Sequence, residues 1–275
     1  VPLLVTGRLG DRFGQRNVYL VGMAVFTLAA TACAFAPTIE WLIFARAIQG
    51  LGASFLNPQP LSVINRIFPA TKRGAAMGVW SAVASSSGLF GPVVGGLLVG
   101  GISWRSVFFL YIPFGLLAFI LVALWVPKLP TAVSRIDPLS ATLSLIAVLA
   151  IVVTLQQGPE LGWPLWLFGV LAAGLIALAV FIWLQHRAQR RGEDALVPPK
   201  IFSIHNFRWG ALSVSTLGFA VYSMNLPIML YLQLDAGLSA QAAGLLMLPM
   251  AAVSVVSAPL LGRLTDRLPP GRISR

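Results

Sequence analysis

Apolar blocks of about twenty residues recur along this chain from end to end, the length that a helix needs to cross the hydrocarbon core of a bilayer. Hydrophobic residues make up 57% of its 275 residues, and charged residues make up only 10%. The mean hydropathy of +0.86 is far above that of a soluble domain. These observations predict an all-α integral membrane fold with no separate aqueous domain.

The blocks predict one cut helix followed by eight full crossings. Residues 1–6 are too short to cross, so we expect them to be the end of a helix whose beginning is missing. The crossings are expected at residues 18–35, 41–68, 75–101, 106–126, 138–157, 163–185, 207–234 and 240–261.

A short charged turn occurs twice in the chain. Residues 7–12 read GRLGDR and residues 262–267 read GRLTDR, and the eight predicted crossings lie between them. A repeated charged turn flanked by apolar helices indicates two halves built on one plan, as in many transporters. Because the number of crossings is even, both turns are predicted to lie on the same side of the membrane.

The distribution of charge indicates which side that is, because cytoplasmic loops retain Lys and Arg. One alternating set of loops, which includes both turns, is rich in these residues. The opposite set holds Glu40, Glu160 and Asp235, with Arg105 as its one base. The basic loops are therefore predicted to face the cytoplasm of a multi-pass protein in the cell (inner or plasma) membrane. The net charge of +11 then reflects topology, and no nucleic-acid partner is expected.

The sequence has few residues of the types that form metal, cofactor or enzyme sites. Cys33 is the one cysteine and lies in an apolar block, while His186 and His205 fall in a predicted cytoplasmic connection. The predicted spans hold no carboxylate pair, His cluster or nucleophile with a base, and no GxxxxGK(S/T) loop for ATP occurs. We therefore expect no metal, no cofactor and no enzyme activity.

Three motifs resemble, in order, those of the major facilitator superfamily. Residues 7–16, GRLGDRFGQR, are similar to the family's G-x-L-x-D-R-x-G-x-(R/K) loop between its second and third helices. Residues 42–50, LIFARAIQG, resemble the fourth-helix motif, and residues 78–96 resemble the fifth-helix antiporter motif, with Ser87 where the family has glycine. The resemblance covers the full chain and implies a major-facilitator-type helical bundle of two pseudo-repeated halves.

Eight crossings between the paired turns resemble the fourteen-helix drug:proton antiporters of that superfamily, whereas twelve-helix members have six. Residues 104–115 also resemble that subfamily's entry to helix six, although Tyr111 stands where asparagine is usual. The resemblance implies that residues 1–126 are the N-terminal half from the end of helix 2 to helix 6. Residues 138–187 would be two inserted helices, and residues 207–275 would be helices 9 and 10 at the start of the C-terminal half. About nine of fourteen helices would then be present.

The resemblance implies a gating role for the repeated turn. Its glycines allow a tight reversal, Asp11 can accept from backbone donors at a helix start, and its arginines hold the turn on the cytoplasmic side. In the family the equivalent acid engages a helix of the opposite half in one state of the carrier. The alternative is a capped turn that only fixes topology. The predicted gating residues are Gly7, Asp11, Arg12, Gly14 and Arg16, with Gly262, Asp266 and Arg267 in the second copy.

Arg46 is the ionisable residue that the sequence places well inside a span, where a charge costs several kcal/mol unless it is paired or faces water. Gln49 and Gly50, three and four residues on, share its helix face. We predict a cavity-lining, proton-linked transport site at these three residues. The alternative is that Arg46 extends along the helix to the outer headgroups.

In the fifth-helix motif, the residues predicted to carry antiport are Gly78, Ser87, Gly91, Pro92, Gly95 and Gly96. Ser87, Gly91 and Gly95 recur every four residues, so one helix face is small and a neighbouring helix can approach closely. Pro92 also removes a backbone hydrogen bond and favours a bend. Small faces occur in static bundles as well, so the spacing alone does not decide the role.

Polar residues in apolar spans are candidates for the substrate cavity, because such breaks often line binding sites. Asn57 and Gln59 lie among prolines that interrupt the fourth helix, and Tyr222 and Asn225 lie in a polar stretch of the first helix of the second half. The alternative is hydrogen bonding between helices, which contributes about 1 kcal/mol for each bond.

Together these features predict a secondary transporter that exports amphipathic small molecules by alternating access, in exchange for protons. The expected partners are the lipid bilayer, a small-molecule substrate and protons as the coupling ion. The alternatives are a non-transporting membrane scaffold or sensor, and a carrier of one specific metabolite on the same fold.

Overall fold

The computed structural model describes residues 3–131, 137–192 and 195–246, together with residues 249–250, 252–253, 257 and 260. Within these residues the regular structure is helical and no strand occurs. The α-helices are α1 (Leu3–Phe13), α2 (Gln15–Ala34), α3 (Ile39–Leu56), α4 (Pro58–Ile67), α5 (Ala70–Gly101), α6 (Ser106–Trp125), α7 (Pro138–Leu161), α8 (Leu165–Arg190), α9 (His205–Leu230) and α10 (Ala240–Leu246). A 3₁₀ turn at Pro199–Ser203 precedes α9, and a π-helical turn at Tyr231–Asp235 follows it.

Five helical segments in the described part of the chain are long and apolar enough to cross a membrane, judged by length and composition. They are Gln15–Ala34, Ile39–Ile67, Ser106–Trp125, Pro138–Leu161 and Leu165–Arg190. The crossings predicted at 75–101 and 207–234 coincide largely with α5 and α9, and the one predicted at 240–261 begins on α10. The all-α membrane fold is thus confirmed, and the total of eight crossings stays a prediction.

The predicted crossing at 41–68 is divided at Asn57, where α3 ends and α4 begins. A residue before proline avoids the α conformation, so Pro58 breaks the helix at Asn57. Pro58 and Pro60 then occupy the first turn of α4, where a missing N–H leaves no helical bond unmade. The break therefore has a local cause that the sequence shows directly.

By packing, the described residues form two compact units. The first contains the described residues of Val1–Val25, Gly50–Gln59 and Phe119–Leu212, and the second contains those of Phe26–Gln49, Pro60–Ala118 and Ser213–Arg275. The division into residues 1–126, 138–187 and 207–275 concerns sequence repeats rather than packing, and it stays a prediction.

In the first unit, α7 and α8 pack together as a hairpin. Asp137 caps the start of α7, since its carboxylate accepts hydrogen bonds from the backbone N–H groups of Leu139 and Ser140 at 3.1 Å each. Gly162 ends α7 in the left-handed conformation, with φ +69°. Residues 138–187, the predicted pair of inserted helices, therefore form a closely packed helical pair.

In the second unit, a small core forms where α2, α3 and α6 meet. Its fully packed members are Cys33, Ala34, Ala45 and Phe108, and Ala32 and Leu42 contact them. Four of these six residues are alanines or cysteine, so the helix backbones approach closely here. Two members of this core adjoin Arg46: Ala45 precedes it in α3, and the Phe108 ring lies against its guanidinium.

Candidate functional site

The predicted gating segment is a helix over most of its length. Gly7, Asp11 and Arg12 lie within α1, and Gly14 is the one residue between α1 and α2. Gly14 has φ +87°, a conformation that a residue with a Cβ adopts only at a cost. The helix is therefore interrupted at Gly14 alone, because Gly7 and Gly10 hold helical positions.

Gly10 has a different task, since it allows α1 to lie against Gln59 of α4. A Cβ on Gly10 would lie 2.9 Å from the Gln59 Cδ atom, closer than atoms pack. The Gln59 side chain is only 1% exposed, and its Nε2 donates to the Thr6 carbonyl at 2.9 Å. Thr6 in turn donates through Oγ1 to the Ser54 carbonyl at 2.7 Å. Buried polar groups thus join α1 to α3 and α4.

Asp11 connects the two sides of the Gly14 turn. Its Oδ1 accepts a hydrogen bond at 3.2 Å from Nε2 of Gln15, the first residue of α2. Gln15 is itself buried. Asp11 therefore joins the two helices on either side of Gly14. This contact agrees both with the predicted gate and with the alternative of a capped turn.

Arg16 fastens the turn to the end of α6. Its Nη2 donates to the carbonyl of Ala123, in the last turn of that helix. Residue 127 is a proline and has no N–H, so this carbonyl cannot receive its usual helical hydrogen bond. A cation near a helix C-terminus is also favoured by the helix dipole. Arg16 thus satisfies a carbonyl that the sequence leaves without a partner.

Arg12 is exposed, and its guanidinium lies over the Phe13 ring at 5.3 Å from the centroid. The second copy of the motif, with Gly262, Asp266 and Arg267, lies outside the described residues. The gating role of both copies stays a prediction.

Arg46 and Gln49 share a face of α3, as their spacing predicts. Arg46 Nη1 donates to Gln49 Oε1 at 3.3 Å, and the guanidinium lies over the Phe108 ring of α6 at 4.7 Å from its centroid. Gln49 is buried, whereas Arg46 is exposed. A neutral amide and an aromatic face hold the guanidinium in place and leave its positive charge intact.

Gly50 continues the same face of α3 and is open. A Cβ built on Gly50 would meet no described atom within 4 Å beyond its own helix backbone and chain neighbours. The geometry thus places a fixed positive charge on an accessible helix face beside a small residue. Its part in transport stays a prediction.

The fifth-helix motif lies on α5, which is helical without interruption from Ala70 to Gly101. Gly78 is buried and Gly96 is half-buried, and Pro92 falls within the helix. Ser87 Oγ donates to the Val83 carbonyl at 2.9 Å, four residues back, a bond that often accompanies a bend. A Cβ on Gly91 or Gly95 would meet no described atom of another element within 4 Å. The small face is therefore open here, and the close approach of a neighbouring helix stays a prediction.

The four predicted substrate residues are placed differently. Gln59 is buried and bonded to α1, which favours the interhelical alternative for it in this conformation. Asn57 is exposed at the break between α3 and α4, and its Nδ2 donates to the Ala53 carbonyl at 3.4 Å. Tyr222 and Asn225 lie on α9, but their side chains are outside the described set. Their substrate role stays a prediction.

A cavity of about 360 Å³ lies among α1, α2 and the end of α3. It is lined by Leu9, Phe13, Asn17, Val18, Val21 and Phe55, so its walls are mainly apolar. Asn57 and Gln59 are not among the lining residues. The cavity therefore does not include the two predicted substrate residues on either side of Pro58.

Sequence reasoning missed two arginine contacts. Arg8 donates to the carbonyls of Ala195 and Leu196, and Arg105 donates to the Ala36 carbonyl at 2.9 Å while lying over the Trp104 ring. The sequence indicates for both residues only a role as loop charges that set topology. Their half-buried position could not be read from local sequence, because each acceptor lies far along the chain.

Comparisons with known proteins agree with the sequence motifs. Residues 2–274 match the family model described as Major Facilitator Superfamily. Over 98% of its length the chain is 41% identical to 46% of an uncharacterized MFS-type transporter of Mycobacterium tuberculosis. Also over 98% of its length, it is 33% identical to 50% of the multidrug resistance protein Stp of M. tuberculosis. Over 98% of its length, the chain is also 32% identical to 50% of the tetracenomycin C resistance and export protein of Streptomyces glaucescens. The chain spans about half the length of these curated relatives.

Proposed function

The chain belongs to the Major Facilitator Superfamily, and from that premise we propose that the complete protein exports amphipathic small molecules in exchange for protons, by alternating access. It is a multi-pass protein of the cell membrane. The observation that carries the proposal is the match over residues 2–274 together with relatives named for drug resistance and export. Membership of this family favours a transporter over an enzyme.

The geometry around Arg46 supports the proton-coupling part of the proposal. A guanidinium stays protonated at any physiological pH, so Arg46 acts as a fixed charge and does not carry the proton itself. A charge on an apolar helix costs several kcal/mol unless it faces water or an opposite charge. Gln49 and Phe108 hold the guanidinium without neutralising it. Such a charge favours the ionised form of an acid that comes to face it, and this links proton release to conformation.

The contacts of the signature segment support the alternating-access part. The helix before the Gly14 turn, α1, is joined to α4 by the bond from Gln59 Nε2 to the Thr6 carbonyl, and Arg16 joins the start of α2 to the end of α6. Movement of the turn therefore has to carry these helix ends with it. This arrangement suits a latch at the cytoplasmic ends of several helices, as the family resemblance implies.

The test uses the complete natural protein in proteoliposomes. Ethidium, as an amphipathic cation, and tetracenomycin C, as a planar polyketide, serve as probes under an imposed pH gradient of either sign. We expect movement of at least one probe that reverses with the gradient. A protein that moves neither probe under either gradient, although it is folded and correctly inserted, contradicts the proposal.

A variant pair tests the coupling itself. Arg46→Ala is expected to lower proton-driven transport about tenfold or more, which corresponds to the loss of about 1.4 kcal/mol of charge interaction. Arg46→Lys keeps the charge and is expected to retain more activity. Arg190→Ala, which removes an exposed arginine from the last turn of α8, is the matched control and is expected to transport normally. Unchanged proton-driven flux in Arg46→Ala would contradict the coupling role of Arg46 and leave transport itself in place.

A further inference from the structure

The connection between α8 and α9 is held to the protein at several points. Residues 195–200, which we name the strap, run from Ala195 to the first residues of the 3₁₀ turn. Ala195 and Leu196 are buried although they belong to no helix. Buried backbone groups outside regular structure need hydrogen-bond partners from elsewhere, because leaving them unpaired is costly.

Arg8 of α1 supplies these partners on one side of the strap. Its Nε and Nη2 both donate to the Leu196 carbonyl at 3.3 Å, and Nη2 also donates to the Ala195 carbonyl. A guanidinium presents several N–H donors in a rigid plane, so one side chain can serve two successive carbonyls. Bonds from a charged donor are stronger than those between neutral groups.

Gln185 of α8 holds the other side of the strap. Its Oε1 accepts from the Val197 N–H at 3.0 Å, and its Nε2 donates to Ser140 Oγ of α7 at 3.0 Å. Ser140 Oγ in turn donates to Asp137 Oδ2 at 2.6 Å. The buried amide of Gln185 therefore joins α7, α8 and the strap in one hydrogen-bond network. Breaking one bond of this network would leave a polar group of it without a partner.

A second α8 residue extends this network along the strap. Gln189 Oε1 accepts from the Lys200 N–H at 3.1 Å, one helical turn beyond Gln185. The strap is thus bonded to α8 at two points and to α1 at two carbonyls. A connection that only linked two helices could stay exposed, with water as its hydrogen-bond partner, and would need none of these contacts.

We infer that Arg8 and Gln185 are positioning residues that fasten α1 to the α7–α8 hairpin through the strap, so that the three helices move as one body during transport. The inference rests on the proposed alternating access and deepens it. It assigns the predicted inserted helices to the moving body that contains the signature segment. Neither residue needs to touch the substrate for this role.

The first experiment measures distances in the complete protein, in a background from which native cysteines, including Cys33, have been removed. Spin labels at the exposed positions Leu3 of α1 and Ile176 of α8 report on the proposed body. Labels at Leu3 and at the exposed Leu234, in the π-helical turn, report on the motion between the predicted halves. Pulsed electron paramagnetic resonance gives both distances under conditions that favour opposite states of the carrier.

We expect the Leu3–Leu234 distance to change between states while the Leu3–Ile176 distance stays narrow and constant. If both distances change, the inference is overturned and alternating access stands. If the Leu3–Leu234 distance is fixed, alternating access fails and the inference fails with it. The two failures are therefore distinguishable.

The second experiment breaks the contacts. Arg8→Ala is expected to broaden the Leu3–Ile176 distance distribution and to lower the maximal transport rate about tenfold, with the KM for the probe changed by less than about twofold. A role in substrate binding would move KM instead. Arg8→Lys, which can reach one carbonyl but not span both, is expected to recover part of the rate.

If Arg8→Ala accumulates poorly, Gln185→Ala removes the contact on the opposite side of the strap, the hydrogen bond from the Val197 N–H. It is expected to broaden the same distribution. Arg190→Ala is the control for removing a basic residue near the strap and is expected to leave both the distance and the rate unchanged. Arg8→Ala and Gln185→Ala variants that both match this control, or Gln185→Ala alone where Arg8→Ala does not accumulate, would overturn the inference.

Discussion

Gly22 allows α2 and α3 to cross at very short range, and Gly22→Ala tests this directly. An added Cβ would lie 2.5 Å from the Cβ of Phe55 and 3.1 Å from the carbonyl oxygen of Gly52. Neither of those atoms can rotate away, because both are attached to the α3 backbone. Carbon atoms pack at about 3.5–4.0 Å, so the helices would have to separate by about 1 Å.

The expected cost follows from this geometry. Overpacking of a well-packed site costs about 1–3 kcal/mol, and exchanging glycine for alanine within a helix returns up to about 1 kcal/mol. Because the added Cβ would lie 2.5 Å from the Phe55 Cβ, the overpacking cost falls at the upper end of that range, about 2–3 kcal/mol, and the net loss of stability for Gly22→Ala is about 1–2 kcal/mol. In a chain of this size that corresponds to a fall in melting temperature of roughly 2–8 °C.

The assay is thermal unfolding of the purified protein in detergent, followed by size-exclusion chromatography with fluorescence detection. Gly169→Ala on α8 is the matched control, because a Cβ there would meet no described atom of another element within 4 Å. It is expected to leave stability unchanged or to raise it slightly. A Gly22→Ala protein as stable as Gly169→Ala, or a Gly22→Val protein no worse than Gly22→Ala, would refute the close crossing.

Three further changes address the turn and the helix ends. Gly14→Ala should lower the free energy of unfolding by about 1–2 kcal/mol, the cost of a left-handed conformation for a residue with a Cβ, and equal stability in thermal unfolding would contradict this. Arg16→Ala should cost about 1–3 kcal/mol, because the half-buried Ala123 carbonyl loses its charged donor, and Arg16→Lys should recover part of the loss in the same assay. Hydrogen bonds, first from the Ser140 hydroxyl and then from backbone N–H groups, lower the pKa of Asp137. Its stabilising effect is therefore complete above the unfolded pKa of about 3.9 and is lost as the pH falls through the lower folded value. Asp137→Asn should weaken the pH dependence of the melting temperature below about pH 4, and an unchanged profile would argue against the cap.

Helix positions were largely predictable, because their causes are local. The crossing predicted at 106–126 corresponds to Ser106–Trp125, and the helix predicted to begin at residue 138 begins there, with Asp137 as its N-cap. The break at Asn57 follows from the prolines beside it. Less predictable was the helical state of the signature segment, since its glycines suggested a loop and only Gly14 adopts a turn conformation.

The candidate site was predictable only in part. The i, i+3 spacing placed Gln49 beside Arg46, and the structure confirms that contact. The spacing could not show that Phe108, sixty-two positions after Arg46, would lie against the Arg46 guanidinium. Gln59 illustrates the opposite case, because its polar character in an apolar span suggested a cavity while its packing against Gly10 makes it a buried link between helices.

The amino-acid sequence determined by itself that the chain is a helical membrane protein of a known transporter family, since apolar length, charge distribution and motif spacing are properties of the chain read in order. The tertiary structure alone decided which polar groups meet. Arg8 finds its acceptors 187 and 188 positions away, and Arg16 finds the Ala123 carbonyl 107 positions away. The physical reason is that a hydrogen bond depends on the placement of two helices in space, and that placement is set by the packing of whole helix faces rather than by any residue's neighbours in sequence.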